Sequence, residues 1–366
     1  MRIAMLSWRS PGHPQGGGAE TLTFEILKRA ATRGHEVTWF AASSPGALES
    51  EKIDGIHFVR RGRQWTVHFR AWRWLRRHKD EFDVVVDQIN TLPFLTPLYL
   101  PEHQRRLMIH QTAREYWWRE TRGLFRLLAP LGYLAEPLYL KTYRSTRTIT
   151  ISESTRAELV ELGIPPARIS VIPMAITSPG LDELWPKNRP FRLIVIGRLT
   201  PAKFVEEAVD AFARVRNVVP DSVLDIVGSG DPEYQAKLER DIANRGLQDA
   251  VEFHGQVFEE EKAELLARAH VHVFASHREG WGLTVTEAGA CGTPTVGYDA
   301  PGVRDSIRDP RLLGALQDGP AGLAKRIVDL SENQALYEDV REEAWRFSRA
   351  LSYEKTTDAF LEALNA

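Results

Sequence analysis

Glu279 and Glu287 stand eight residues apart in SHREGWGLTVTEAGACGTPTVG, Ser276–Gly297, and their type and spacing suggest hydroxyl recognition. Ionised glutamate only accepts hydrogen bonds, so such a pair suits a ligand rich in O–H donors, with one carboxylate on a sugar and the other on a ribose. Val271–Ala275 ahead of them is an apolar run that reads as a buried strand. After the loop Glu279-Gly280-Trp281-Gly282, small and apolar residues recur at helical spacing from Leu283 and Thr284 through Ala290, and Gly292-Thr293-Pro294 is a stop signal. Strand, glycine loop and helix in that order turn the N–H groups of Gly282, Leu283 and Thr284 and the positive end of a helix dipole toward any diphosphate beyond the sheet. Carboxylates beside a diphosphate are repelled unless cations intervene. Arg198 and Lys203, just after the apolar strand Phe191–Ile196, are the cations expected there: one offers a planar fork, the other a point charge. Strand ends of one parallel sheet open on one edge, so both sets should share a crevice. Val227-Gly228-Ser229-Gly230 follows another strand and would let backbone approach the same crevice closely.

These residues need a frame of alternating strands and helices, and the chain supplies two. Arg2–Ser7, Glu36–Ala42, Ile56–Arg60, Phe82–Asp87, Leu107–His110, Thr146–Ser152 and Ile169–Ile172 read as strands of a first unit. Between them come helices over Ala19–Arg33 and Phe69–Lys79 and a helical pattern over Trp117–Tyr143 broken near Pro130 and Pro137. Pro173–Pro190 carries four prolines and reads as a linker. The pattern restarts with strands at 191–196, 222–227, 251–253, 271–275 and 295–298 and with helices at 203–218, 232–244 and 259–267. Helices near 321–330, 334–347 and 353–364 complete it. The expected division is residues 1–173 as an N-terminal Rossmann-like domain, 174–190 as linker, 191–350 as a C-terminal Rossmann-like domain, and 351–366 as a helix packing back on the first domain.

Four stretches carry a resemblance. Glu279 and Glu287 with the EGWGL turn and the EAGACGTPTVG run, Gly197-Arg198-Leu199 with Lys203, Phe253–Val257 (FHGQV), and Gly16–Glu20 (GGGAE) resemble the family-4 retaining glycosyltransferases and their E-x7-E signature. That resemblance spans essentially the whole chain and implies an α/β, GT-B type fold: two facing Rossmann-like domains with parallel sheets and an interdomain cleft. It implies a retaining, metal-independent hexosyltransferase that moves sugar from a nucleoside-diphosphate donor, UDP-sugar favoured over GDP-sugar, to an acceptor hydroxyl on a glycan, a lipid-linked glycan or a small molecule. Carried onto this sequence, it places Glu279 and His110 as catalytic or sugar-orienting residues. Arg198, Lys203, Gly17, Gly18, Gly282, Leu283 and Thr284 would hold the donor diphosphate, Glu287 the ribose, and Gly228 and Val257 the nucleobase side. Gln111, Arg114 and Trp117, which follow His110, are expected on the acceptor side. The family usually has glycine after the lysine; Phe204 stands there and puts the local turn in question. A nucleotide-sugar epimerase or phosphorylase of the same fold, or a non-catalytic sugar-nucleotide binder, are the rival expectations.

Composition narrows the rest. A chain of 366 residues exceeds what one core usually holds, which favours two domains. A single cysteine, Cys291, excludes an internal disulfide framework and a multi-cysteine zinc site. No D-x-D pair is present, and neither cofactor nor metal is expected, because arginine plus lysine can do the charge work of a divalent ion. Net charge is only −2, so nucleic acid is not an expected partner. Its distribution is uneven: residues 1–180 hold 25 Lys+Arg against 17 Asp+Glu, and residues 181–366 hold 22 against 32. Trp65, Arg70, Trp72, Arg73, Trp74, Arg76 and Arg77, and again Arg114, Trp117, Trp118, Arg119, Arg122 and Arg126, make two basic, tryptophan-rich stretches. Such helices can lie on an anionic membrane, or form a solvated basic face with the tryptophans in the core; the expected location is cytoplasmic, with peripheral contact at the inner face of the membrane as the alternative. No stretch is long and apolar enough to span a bilayer.

Overall fold

Short apolar runs, buried on both faces, build the two sheets. The computed structural model describes residues 1–13, 16–114, 129–176 and 181–366. Its first sheet holds β1 (Arg2–Leu6), β2 (Glu36–Ala41), β3 (Ser50–Ile53), β4 (Ile56–Arg60), β5 (Val84–Ile89), β6 (Arg105–Ile109), β7 (Arg147–Thr150) and β8 (Ile169–Val171), in the order β3-β4-β2-β1-β5-β6-β7-β8. Every pair is parallel except β3 with β4. The second sheet holds β9 (Arg192–Ile196), β10 (Val223–Val227), β11 (Val251–Gly255), β12 (Val271–Phe274), β13 (Thr295–Tyr298) and β14 (Leu313–Gly314), all parallel, in the order β11-β10-β9-β12-β13-β14. Parallel strands need crossovers that cover both faces, which is why Ile3–Leu6, Val85, Val86, Leu193 and Ile194 have no exposed surface.

The crossovers and flanking helices of the first unit are α1 (Gly18–Thr32), α2 (Val67–His78), α3 (Ala129–Thr142) and α4 (Glu153–Glu161). The second unit has α5 (Val205–Arg216), α6 (Pro232–Asn244), α7 (Glu259–Arg268), α8 (Leu283–Ala290), α9 (Val303–Ile307), α10 (Gly319–Glu332) and α11 (Gln334–Arg349), and the chain ends in α12 (Tyr353–Asn365). The two compact units are Met1–Ala175 with Ser352–Ala366, and Ile176–Leu351. Within the first, α12 lies on α1, where Arg29 and Arg33 reach Glu354 and Arg33 reaches Asp358 at 2.6 Å. Such exposed pairs are worth under about 1 kcal/mol each. Burial of Tyr353, Phe360 and Leu364 does more to seat the helix.

Local chemistry explains where the elements depart from the sequence reading. Helix α4 was not foreseen; Ser152 caps it by accepting from Thr155 N at 3.2 Å, the signal of an N-terminal serine. Strand β3 was not foreseen either, because SEKI is charged and lies at the sheet edge, where the core imposes no apolar alternation. The helix expected from Lys203 begins at Val205, since Phe204 takes up a left-handed conformation, φ +51°, and turns the chain first. The expected helical pattern from Trp117 is described only from Ala129 onward, and Pro137 sits inside that helix.

Candidate active site

Each sheet reverses strand order once, and loops diverge there to leave a crevice at the strands' carboxyl ends. In the second sheet the reversal lies between β9 and β12. The loop after β9 carries Gly197–Lys203 and the loop after β12 carries Ala275–Gly282, so topology alone brings Lys203 to Glu279. Lys203 Nζ lies 2.5 Å from Glu279 Oε1, with the two side chains 24% and 12% exposed. Glu279 is anchored from behind: its N–H donates to Pro301 O at 3.0 Å, and Gly302 approaches so closely that a Cβ there would stand 1.9 Å from Glu279 O. Arg198 is exposed and forms no ion pair among the described residues. Gly282, at φ +88°, starts α8 and packs against Phe274; only glycine takes that conformation without strain. The first-turn N–H groups of Leu283 and Thr284 follow it, unpaired by helix geometry.

Three loops brace the crevice floor. Gly197 N–H donates to Val227 O at 3.0 Å, Leu199 N–H to Ser229 O at 3.0 Å, and Gly228 N–H to Gly255 O at 2.7 Å. Gly228, at φ +128°, sits so near Gly197 that a Cβ would meet its carbonyl oxygen at 2.0 Å, and Gly230 meets Leu199 O in the same way at 2.2 Å. The two glycines are therefore fixed by packing between loops as well as by any ligand. Val257, half-buried, follows Gly255 at the edge of this cluster.

The turn questioned at Phe204 is kept. Its backbone adopts the conformation a glycine would take freely, and its ring stacks on His277 with centroids 3.7 Å apart and planes 10° from parallel. His277 in turn lies 3.0 Å from Glu207, which also accepts from Tyr298 Oη at 2.5 Å. A left-handed non-glycine residue costs roughly 1 kcal/mol, which the aromatic contact offsets.

Glu287 lies on α8, its side chain 12% exposed. Lys262 Nζ of α7 stands 3.1 Å from Glu287 Oε2 and 2.7 Å from Glu259 Oε2. The ammonium is near enough to compensate the charge at the enclosed Oε2, which leaves Oε1 as the oxygen with acceptor capacity toward a ligand. Burial pushes the Glu287 carboxyl up, and the Lys262 ammonium pulls against that without cancelling it. Sequence spacing gave no hint of Lys262, which belongs to a different helix from its partner.

In the first sheet the reversal lies between β1 and β5. Gly17 is the N-cap of α1 and Gly18 its first residue. Glu20, which the sequence allows to be a simple helix-start acid, organises the loop. Its carboxylate accepts from Gly17 N–H at 2.7 Å, Arg9 Nε at 2.9 Å and Asn90 Nδ2 at 2.7 Å, with 3% of the side chain exposed. A glutamate three residues after the cap is the legible part of this arrangement; Arg9 and Asn90 come from tertiary contact. His110 follows β6 and is buried, and burial lowers its pKa to about 4, so the ring is neutral at physiological pH. Gln88 Nε2 lies 3.0 Å from His110 Nε2. With that amide donating, the ring proton is on Nδ1, a buried atom with no hydrogen-bond partner. Gln111 and Arg114 are half-buried; the Ala113 and Arg114 N–H groups donate to Glu136 at 2.7 and 2.8 Å, and the Arg114 guanidinium lies 5.6 Å from the Tyr133 ring centroid. Trp117, with Trp118, Arg119, Arg122 and Arg126, lies outside the described residues.

Among the described residues the one group of metal-ligating types within mutual reach is Asp225, Glu252 and His254. Arg192 already pairs with both oxygens of the buried Asp225 at 2.8 Å, so that carboxylate is compensated within the protein, and Glu252 is exposed. No helix among the described residues is long and apolar enough to cross a membrane.

The chain is similar to known proteins over most of its length. The model of the glycosyl transferases group 1 matches residues 182–347, and that of Glycosyltransferase Family 4 matches residues 16–177. An MMP alpha-(1->4)-mannosyltransferase of Mycolicibacterium hassiacum is 25% identical over 375 aligned positions, covering 90% of this chain and 85% of that protein. A D-inositol 3-phosphate glycosyltransferase of Geodermatophilus obscurus is 29% identical over 237 residues, 59% of this chain; the chain spans about half, 51%, of that relative's length. Among solved structures, WaaG, a glycosyltransferase involved in lipopolysaccharide biosynthesis, superposes with a TM-score of 0.76 at 17% identity over the full length of both chains. Anabaena Alr3699/HepE in complex with UDP and glucose does so at 0.70 and 18%, again over the full length of both.

Proposed function

Given that the chain belongs to the family-4 glycosyltransferases and has their two parallel-sheet, Rossmann-like domains, we propose that it moves a hexosyl group from a nucleoside-diphosphate sugar, UDP-sugar first and GDP-sugar next, to an acceptor hydroxyl with retention at the anomeric carbon. The observation that carries this reading is the Lys203–Glu279 pair at the strand-order reversal, 2.5 Å apart beside the first turn of α8. Lys203, Arg198 and the N–H groups of Gly282, Leu283 and Thr284 stabilise negative charge as it gathers on the departing diphosphate; Gly17 and Gly18 add backbone donors. Glu279 accepts from sugar hydroxyls and softens the positive charge on the ring. The neutral His110 is assigned to orienting the sugar, Glu287 accepts the ribose hydroxyls, and Gly228 and Val257 flank the base. Gln111, Arg114 and Trp117 are assigned to the acceptor, a glycan, lipid-linked glycan or small molecule.

In the reaction proposed, the acceptor oxygen bonds to the anomeric carbon on the face the diphosphate leaves. The bond from that carbon to the phosphate oxygen breaks, and the acceptor proton passes to the departing oxygen. Lys203 and Arg198 do the charge work, so no metal is assigned. Thermal-shift screening against UDP-, GDP-, ADP- and TDP-sugars should raise the melting temperature with one nucleotide class, by roughly 2–3 kcal/mol of linkage at a hundredfold excess over Kd. Turnover with that donor should survive EDTA. No shift with any of the four, or activity lost to EDTA and restored by magnesium, overturns the respective half of the reading. Turnover without acceptor identifies an epimerase, dependence on free phosphate a phosphorylase, and donor binding with no turnover a non-catalytic binder.

A membrane-surface contact is proposed for α2. Trp65 is 62% and Phe69 59% exposed, Phe69 stacks toward Trp72 with centroids 5.5 Å apart, and Arg76 lies 5.1 Å from the Trp72 ring. Arg70, Arg73 and Arg77 are exposed around them, and the helix carries no acid. Trp74, grouped with them in the sequence, belongs instead to the core beside Phe40 and Phe82. Aromatic rings at headgroup depth with arginines among anionic lipids suit this face. Co-sedimentation with phosphatidylserine vesicles at low salt, weakening toward 0.5 M salt, is the expected result; absence of binding at low salt removes the proposal.

A further inference from the structure

We propose that Lys262 is a positioning residue of the donor site: it holds the buried Glu287 side chain as a carboxylate facing the ribose hydroxyls. This rests on the ribose role assigned to Glu287 above. A carboxylate nine-tenths buried is costly unless a cation compensates it, and when none does it takes up a proton and loses half its acceptor character. Lys262 is the one cation facing Glu287 among the described residues, 3.1 Å from Oε2, and is itself only 14% exposed. The other charged group facing that carboxylate is Glu259, from the same helix as Lys262. Glu259 holds the ammonium at 2.7 Å from outside and is 65% exposed, so Lys262 is tethered between an outer and an inner carboxylate. This arrangement fixes the ammonium at the enclosed Oε2, so the acceptor left for a hydroxyl donor is the other carboxylate oxygen, Oε1. The Lys262 ammonium, although burial disfavours it, is held on balance more firmly protonated by its two partners, so it stays charged throughout the range in which Glu287 titrates.

The test is the share of nucleotide affinity that depends on the ribose hydroxyls, read as the Kd ratio of 2′,3′-dideoxy to ordinary UDP, and likewise GDP, from pH 6 to 9. In the parent protein the ratio should be about tenfold or more across the range. Lys262→Met should lower it below about threefold at pH 6 and recover it as pH rises and Glu287 ionises unaided; Lys262→Arg should preserve it. Met at position 262 with the parent's ratio at pH 6 overturns the proposal. A parent ratio near one, unchanged by Glu287→Gln, means instead that Glu287 does not hold the ribose, which fails the premise separately. Should Lys262→Met not fold, Glu259→Gln serves, with the range carried down until the parent's ratio falls: freeing Lys262 to Glu287 alone should move that fall to lower pH, and a fall at the parent's pH counts against the role.

Discussion

Glu279→Gln is expected to lower turnover by about 10²–10³-fold, the size of effect seen when one charge-stabilising group is removed from an active site, while affinity for the free nucleoside diphosphate does not fall. The substitution keeps the shape of the side chain and removes its charge. Since Lys203 loses its 2.5 Å partner, the ammonium becomes more available to the diphosphate rather than less. The cost therefore falls on the step in which positive charge develops on the sugar, and appears in kcat with little change in nucleotide affinity. Lys203→Met should behave in the opposite sense, weakening diphosphate binding first. Equal turnover by Glu279→Gln and the parent would remove Glu279 from the chemistry. Equal losses of nucleotide affinity in both variants would reduce the pair to a structural brace.

The second large effect is a loss of stability in mild acid, carried in the Ile176–Leu351 unit by two buried histidines. Burial lowers the pKa of His270 to about 4 and of His272 to about 3; for His270, nearby lysine and arginine charges add to it. The unfolded chain takes up these protons near pH 6.5 and the folded one does not. Folded pKa values below the unfolded value mean stability that is present above pH 6.5 and lost as pH falls toward 4 and 3. Each group then costs about 1.4 kcal/mol per pH unit below 6.5, or about 2 kcal/mol at pH 5. His272 illustrates why: Nδ1 shares a hydrogen bond with Thr295 Oγ1 at 3.0 Å, Nε2 is buried with no partner, and no water reaches a charged ring there. Glu287, whose carboxyl burial pushes up, works in the opposite direction but is one group against two. A melting temperature roughly 10 °C lower at pH 5 than at pH 7.5 is the expected result for a unit of this size, at about 2–4 °C per kcal/mol. The first unit shifts in the same direction through His13, His35, His68 and His110, which burial lowers, against Asp87, which it raises. A flat melting profile from pH 7.5 to 5 would show that both rings accept protons in the folded protein.

Apolar runs and helical periods were enough to lay out the parallel strands of both units except the two-residue β14, because burial on both faces forces continuous hydrophobic segments. Residues such as Glu279, Gly282, Arg198 and Lys203 were legible for a related reason: each lies in the first loop after a strand, and a parallel sheet carries all such loops to one edge. Edge strand β3 and helix α4 were not, since neither owes its form to an apolar pattern.

Chain order thus set which residues stand at the crevice, but the pairings within it were decided in three dimensions. Lys203 meets Glu279 across 76 positions because β9 and β12 are neighbours at the reversal of strand order. Glu20 gathers Arg9 and Asn90, and Gln88 meets His110, through the neighbouring strands β1, β5 and β6. Lys262 reaches Glu287 only because α7 packs beside α8. A one-dimensional sequence specifies local periodicity and turn chemistry directly, whereas the charge state of a buried carboxylate or imidazole depends on which side chains the packed core leaves within a few ångströms of it.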